Sequence, residues 1–208
     1  MYSKNDLEED ISQIWLIYTT SYEYYYCLKL ISKYEKTDFT DSRFLVFIIY
    51  SSWYILIIEL CKAFQYDNKS QHYNVYGLIN KMLNNYKSLD FKSSITLNEI
   101  KSFYTDFNAE KITEIRDRLT TLRDKFYAHS DRQKLLQEVN VKLTEIEALL
   151  NLLKKFIYEI KQKVFSAEVI FHTDIYVDIG EILKSIEERN QIHHNEIIRK
   201  FNEERRKL

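Results

Sequence analysis

No proline occurs anywhere in this chain, and glycine occurs twice, at Gly77 and Gly180. A β-rich fold of 208 residues needs turn residues at short, regular intervals, so this sequence has too few of them for strands and hairpins. Helices joined by polar loops are the fold class it predicts. The apolar pattern agrees. Ile11, Ile14, Trp15, Tyr18, Tyr22 and Tyr25 recur at helical spacing within a first helix over 5–35. The run "SYEYYY" then reads as a stripe of half-buried rings with wet hydroxyls, with base stacking as the alternative. "DFTDSR" breaks the pattern, with Asp41 or Ser42 as an N-cap for a second helix ending near Phe64. That helix holds the longest uncharged run, Phe44–Ile58, "FLVFIIYSSWYILII". Fifteen residues with two serines fall short of the roughly 18 that a membrane span requires. The run is therefore expected to be the central buried helix of a bundle.

Further along, "VYGLINKMLNNY" is expected to be a short helix, followed by a loop over 87–95 and a helical piece in "TLNEIKSFYTDF". Ile112, Ile115, Leu119, Leu122 and Phe126 mark the next helix. "SDRQKLLQEVN" reads as a loop. A long helix to about Phe165 follows, with Thr144 and Glu147 spaced as a capping box. "SAEVIFHTD" is irregular, and a final helix covers about 175–206. One domain over 1–208 is expected, with the bundle core in about 1–165.

Cys27 and Cys61 lie in apolar runs and read as buried small hydrophobes. No metal-ligand spacing appears, so neither a metal nor a cofactor is predicted. The formal net charge is -1. The chain as a whole therefore has no electrostatic pull on nucleic acid, and any such binding must come from a local patch. One patch exists. Between 116 and 134 lie Arg116, Arg118, Arg123, Lys125, Arg132 and Lys134, offset by Asp117, Asp124 and Asp131. It can track a phosphate backbone, or it can be an ordinary solvated helix of mixed charge. The N-terminus is polar and acidic and does not read as a signal peptide. A cytoplasmic protein without membrane contact is the expectation.

Within that patch, "LRDKFYAHSD" places Arg123 six residues before His129. On one ideal helix His129 shares a side with Leu122 and Phe126, while Arg123 lies about 120° away. The pair is also separated by roughly 9 Å along the axis, so the two side chains do not meet within one helix. A second match in spacing is Arg189 and His194, in "RNQIHH".

The context of the first match resembles the HEPN superfamily (higher eukaryotes and prokaryotes nucleotide-binding), closest to its abortive-infection branch. "ELCKAF" at 59–64, "GLINKM" at 77–82 and "RDKFYAHSD" at 123–131 follow one another in the order that branch uses. The resemblance covers about 1–165 and extends less surely into the last helix. It implies an all-α antiparallel helical bundle with additional C-terminal helices, forming a two-fold homodimer. It also implies a metal-independent endoribonuclease whose Arg–His motifs face a shared cleft. A composite site answers the geometric objection, because a two-fold axis brings two copies of each residue together.

On this resemblance Arg123 stabilises the phosphate and His129 moves protons. The products are 2′,3′-cyclic phosphate and 5′-hydroxyl ends. Asp124, Asp131 and Glu59 are expected in support, with Glu59 as a partner of Arg123 and Asp131 as an orienting group or a cap. Arg116, Arg118, Lys125 and Arg132 are expected to contact RNA. A toxin or phage-defence effector is implied, with a cognate antitoxin or regulatory partner. A module of the same fold without catalysis, binding RNA, nucleotide or protein, is the alternative. Two departures bear on regulation. The tyrosine that one toxin branch carries two residues after its histidine is here Asp131, and the chain has no room for an added ligand-sensing domain.

Overall fold

A computed structural model describes residues 2–33, 43–66, 73–89, 91, 94–128, 141–169 and 175–205. Among them are seven helices and no strand: α1 (Lys4–Lys33), α2 (Arg43–Phe64), α3 (Val75–Asn84), α4 (Leu97–Phe107), α5 (Glu110–Ala128), α6 (Leu143–Phe165) and α7 (Ile175–Arg205). The all-α expectation holds. The N-cap expected at Asp41 or Ser42 lies outside the described residues, as does most of "SDRQKLLQEVN".

α1 begins where Ser3 and Asp6 satisfy each other. The Asp6 N–H donates to Ser3 Oγ at 3.2 Å, and the Asp6 carboxylate accepts from the Ser3 N–H at 2.6 Å. Its stripe of Leu7, Ile11, Ile14, Tyr18 and Tyr25 is buried. Within "SYEYYY", Tyr25 is buried and Tyr22, Tyr24 and Tyr26 are half-buried, and Tyr22 stacks on Tyr18 at 5.8 Å between ring centroids. α1 packs against α2, α6, α3 and α7. Asp10, almost fully buried, accepts from Lys81 Nζ at 2.7 Å and from the Tyr2 hydroxyl at 2.6 Å, which ties α1 to α3. Lys81 of "GLINKM" is thus a tether between helices. Gly77 of the same motif sits where Asn74 caps α3. The Gly77 N–H donates to Asn74 Oδ1 at 2.7 Å, and a Cβ on Gly77 would meet that oxygen at 3.2 Å.

Phe64, Tyr76, Phe103, Phe107 and Phe156 join α2, α3, α4 and α6 in one aromatic cluster. Phe156 lies edge-on to Phe103 at 5.0 Å and to Phe107 at 5.5 Å. With so few glycines available, α6 ends on Ser166 in the left-handed region, at φ 52°.

Two local expectations are corrected. Thr144 and Glu147 do not form the cap of α6. The helix starts earlier, with the Lys142 N–H donating to Glu145 at 2.8 Å, while Glu147 binds Lys29 of α1 at 2.8 Å. A true capping box does occur at "TLNE", where Thr96 and Glu99 satisfy each other at the start of α4. The second correction concerns α2. It is long and apolar enough to cross a membrane by length and composition. Leu56, Ile57, Leu60, Cys61 and Phe64 are core, but Phe44, Phe47, Tyr50 and Tyr54 form an exposed stripe. α1, α3 and α5 cover only part of its circumference. An uncharged run therefore did not mean a helix buried on every side.

Glu99 also carries a pH prediction. Its carboxylate accepts from the Thr96 N–H at 2.6 Å, from Lys163 Nζ at 2.9 Å and from the Thr96 hydroxyl at 2.8 Å. Those contacts, the backbone N–H foremost, hold its carboxyl below the ordinary 4.5, at about 2. A depressed carboxyl adds stability above its unfolded value and loses it as pH falls through the folded value. Glu99→Gln is expected to flatten the decline of melting temperature between about pH 4.5 and 2, read by circular dichroism. An unchanged decline contradicts this.

Candidate active site

The helix that carries the Arg–His motif is held by its apolar stripe. Ile115, Leu119 and Leu122 are buried, and α5 lies along α2. This packing brings Arg123 to the end of α2. Its Nη1 donates to Gln65 Oε1 at 3.0 Å, and its Nε donates to Asp124 Oδ1 at 2.9 Å. Nη2 lies 2.8 Å from the same Asp124 oxygen. These contacts engage three of the five N–H donors of a guanidinium, and the side chain keeps 24% exposure. The arrangement fixes the plane of the group and leaves part of its edge toward solvent, which suits a phosphate oxygen. Asp124 thus stands where an orienting partner was expected.

Cys61 lies beneath this site. Burial pushes its thiol up to about 12, against the pull of the Arg123 guanidinium. It stays protonated at neutral pH and is no nucleophile. Both cysteines are free and buried, as expected of small hydrophobes.

Other assignments fare differently. Glu59 is not the partner of Arg123. Lys62, one turn further along α2, takes it at 2.5 Å, and Gln65 stands at the arginine instead. Arg116 is committed to the interior. It lies over the rings of Tyr66 and Tyr76, at 5.7 and 5.8 Å from their centroids, and donates to the Tyr76 hydroxyl at 3.1 Å. That hydroxyl in turn donates to the Phe107 carbonyl at 2.9 Å. Arg118 grips Glu145 with both nitrogens, at 2.7 and 3.2 Å, and ties α5 to the start of α6. Two of the cations assigned to RNA therefore serve the fold, because each has a partner within the chain that spacing does not reveal.

α5 is described to Ala128, so His129, Asp131, Arg132 and Lys134 lie outside the described residues, as does the side chain of Lys125. The rival pair, Arg189 and His194, is exposed on α7. Among the described residues no three His, Cys, Asp or Glu side chains gather as a metal site would need.

The family model for AbiU2, a HEPN family, matches residues 4–201. The chain belongs to the AbiU2 family of HEPN domains. No curated protein and no solved structure matches it. The AbiU2 match runs well beyond the 1–165 over which the sequence motifs were closest, and takes in most of α7. In this AbiU2 chain, "ELCKAF" ends α2 just before Gln65, "GLINKM" lies in α3, and "RDKFYA" closes α5. The last of these motifs meets the residue just past the first, where Arg123 donates to Gln65.

Proposed function

We propose that this abortive-infection HEPN domain is a metal-independent endoribonuclease acting in the cytoplasm. The observation that carries the reading is the oriented Arg123 guanidinium, six residues before His129, in a chain of a HEPN family. Cleavage would use the RNA's own 2′-hydroxyl. A base takes its proton, the O2′–P bond forms, the P–O5′ bond breaks, and an acid protonates the departing O5′. The products carry a 2′,3′-cyclic phosphate and a 5′-hydroxyl.

Histidine suits both proton-transfer roles, since its unperturbed pKa lies near neutrality. Two copies of His129 across a two-fold axis would divide them. Arg123 would hold the crowded phosphorane through the donors that Gln65 and Asp124 leave available. Lys125 and Arg132 remain as phosphate contacts, now without Arg116 and Arg118. A toxic effector of this kind would be kept in check by an antitoxin or another regulatory partner.

The test pairs a growth assay with product analysis. Induced expression is expected to arrest growth. The purified chain in excess EDTA is expected to cut total RNA to ends that are resistant to phosphatase until the cyclic phosphate is opened by acid. Tolerated expression together with intact RNA would favour the binding module.

A further inference from the structure

Tyr66 lies just beyond the end of α2, directly after the Gln65 that holds Arg123, and is 56% exposed. A single exposed aromatic is ordinary on a protein surface. This one is also fixed from three helices. Its hydroxyl shares a hydrogen bond with the Tyr104 hydroxyl of α4 at 3.1 Å. Its ring meets that of Tyr76 in α3 in a T-shaped arrangement, at 5.1 Å between centroids. The Arg116 guanidinium of α5 lies over it at 5.7 Å. A ring held in this way, with more than half of its surface open, loses little freedom when a flat partner stacks on it.

Arg116 and Arg123 are seven residues apart on α5. They therefore share one side of the helix, roughly 10 Å apart along it. The ring over Arg116 and the guanidinium of Arg123 follow one another along a single edge, where the end of α2 meets α5. Charge along that edge is balanced. Asp117 accepts from Arg116 Nε at 3.1 Å, and Asp124 accepts from Arg123 Nε at 2.9 Å. A second phosphate gains little from a balanced edge, whereas a base needs only a π face. We infer that Tyr66 is a base-stacking platform for RNA, which takes a nucleobase flanking the phosphate held at Arg123 and prefers a purine there. The preference follows from area, because two fused rings cover more of the tyrosine than one. Tyr76, Tyr104 and Arg116 are positioning residues that hold the ring. The platform rests on the RNA-binding part of the ribonuclease reading and gives it a source of sequence preference.

Binding and cleavage, measured separately on the full chain, test it. The binding probes are 2′-fluoro oligoadenylate and oligouridylate, which have no 2′-hydroxyl to attack and so cannot be cut by this chemistry. Fluorescence anisotropy is expected to show wild type holding the adenylate more tightly. Tyr66→Leu is expected to weaken adenylate binding about tenfold or more and to erase the preference, while Tyr66→Phe keeps both. In cleavage of total RNA with mapped ends, wild type is expected to cut beside purines. Tyr66→Leu should raise KM by about the same factor with kcat little changed, and should scatter the cuts. Thermal melts show that the variants are folded. No purine preference in wild type, equal binding by wild type and Tyr66→Leu, or an equal loss in Tyr66→Phe overturns the platform, and persisting cleavage then leaves the ribonuclease standing. Adenylate binding lost in Tyr66→Leu and kept in Tyr66→Phe, with no cleavage by any form, upholds the platform and removes the ribonuclease. RNA neither bound nor cut by wild type overturns both.

Discussion

Arg123→Ala is expected to slow RNA cleavage by about 10²–10³-fold, the usual loss when a donor to a developing anion is removed. His129→Ala is expected to slow it by about 10²–10⁴-fold, since base and acid would both be lost from a two-fold site. The double variant should be little worse than the weaker single one, because residues that act as a unit do not add. Arg123→Lys is not expected to restore activity. An ammonium has no fork, and it cannot hold Gln65 and Asp124 while presenting further donors. Gln65→Ala should act more mildly, through kcat more than KM, because Gln65 positions the guanidinium at 3.0 Å. His194→Ala should match wild type. The measurement is single-turnover cleavage of end-labelled RNA in excess EDTA, with thermal melts to show that each variant is folded. Full activity in His129→Ala would remove this pair as the site, and loss confined to His194→Ala would move the chemistry to α7.

The largest stability effect is expected at Phe156. It is fully buried, edge-on to Phe103 and Phe107, and joins α6 to the α4 layer. Phe156→Ala removes those ring contacts and leaves a cavity that four helices cannot easily close. The expected cost is about 3–5 kcal/mol. For a chain of this size that corresponds to a fall in melting temperature of roughly 10 °C. Phe47→Ala is the control. Phe47 is 64% exposed on α2, and its loss should change stability by less than about 0.5 kcal/mol. Denaturant midpoints on both variants check the pair. Equal losses would mean that the α2 stripe is covered in solution.

The helices were legible because an apolar period of 3.6 residues survives without any knowledge of partners. α1, α2, α6 and α7 begin and end within a few residues of where the pattern placed them. Caps were less legible. Thr144–Glu147 and Thr96–Glu99 have the same spacing, yet only the second pair is a cap, because Glu147 is drawn off by Lys29 on another helix. The site divided in the same way. Arg123 and its sequence neighbour Asp124 could be read together. Gln65 could not, since nothing in "ELCKAFQ" says which of its polar groups will face α5. Arg116 and Arg118 looked like phosphate contacts for the same reason. Charge is visible in a sequence, while the tyrosine or glutamate that occupies it lies 40 or 27 residues away.

The sequence by itself determined that this chain is helical, with its apolar stripes, its motif order and therefore its place among HEPN domains. Those are properties of spacing and of residue type. Only the tertiary structure decided which cations are spent inside the bundle, that Gln65 and not Glu59 meets Arg123, and that one side of α2 and the tail of α7 remain uncovered. Those outcomes depend on which helices pack together, and a contact across the bundle has no period in the chain.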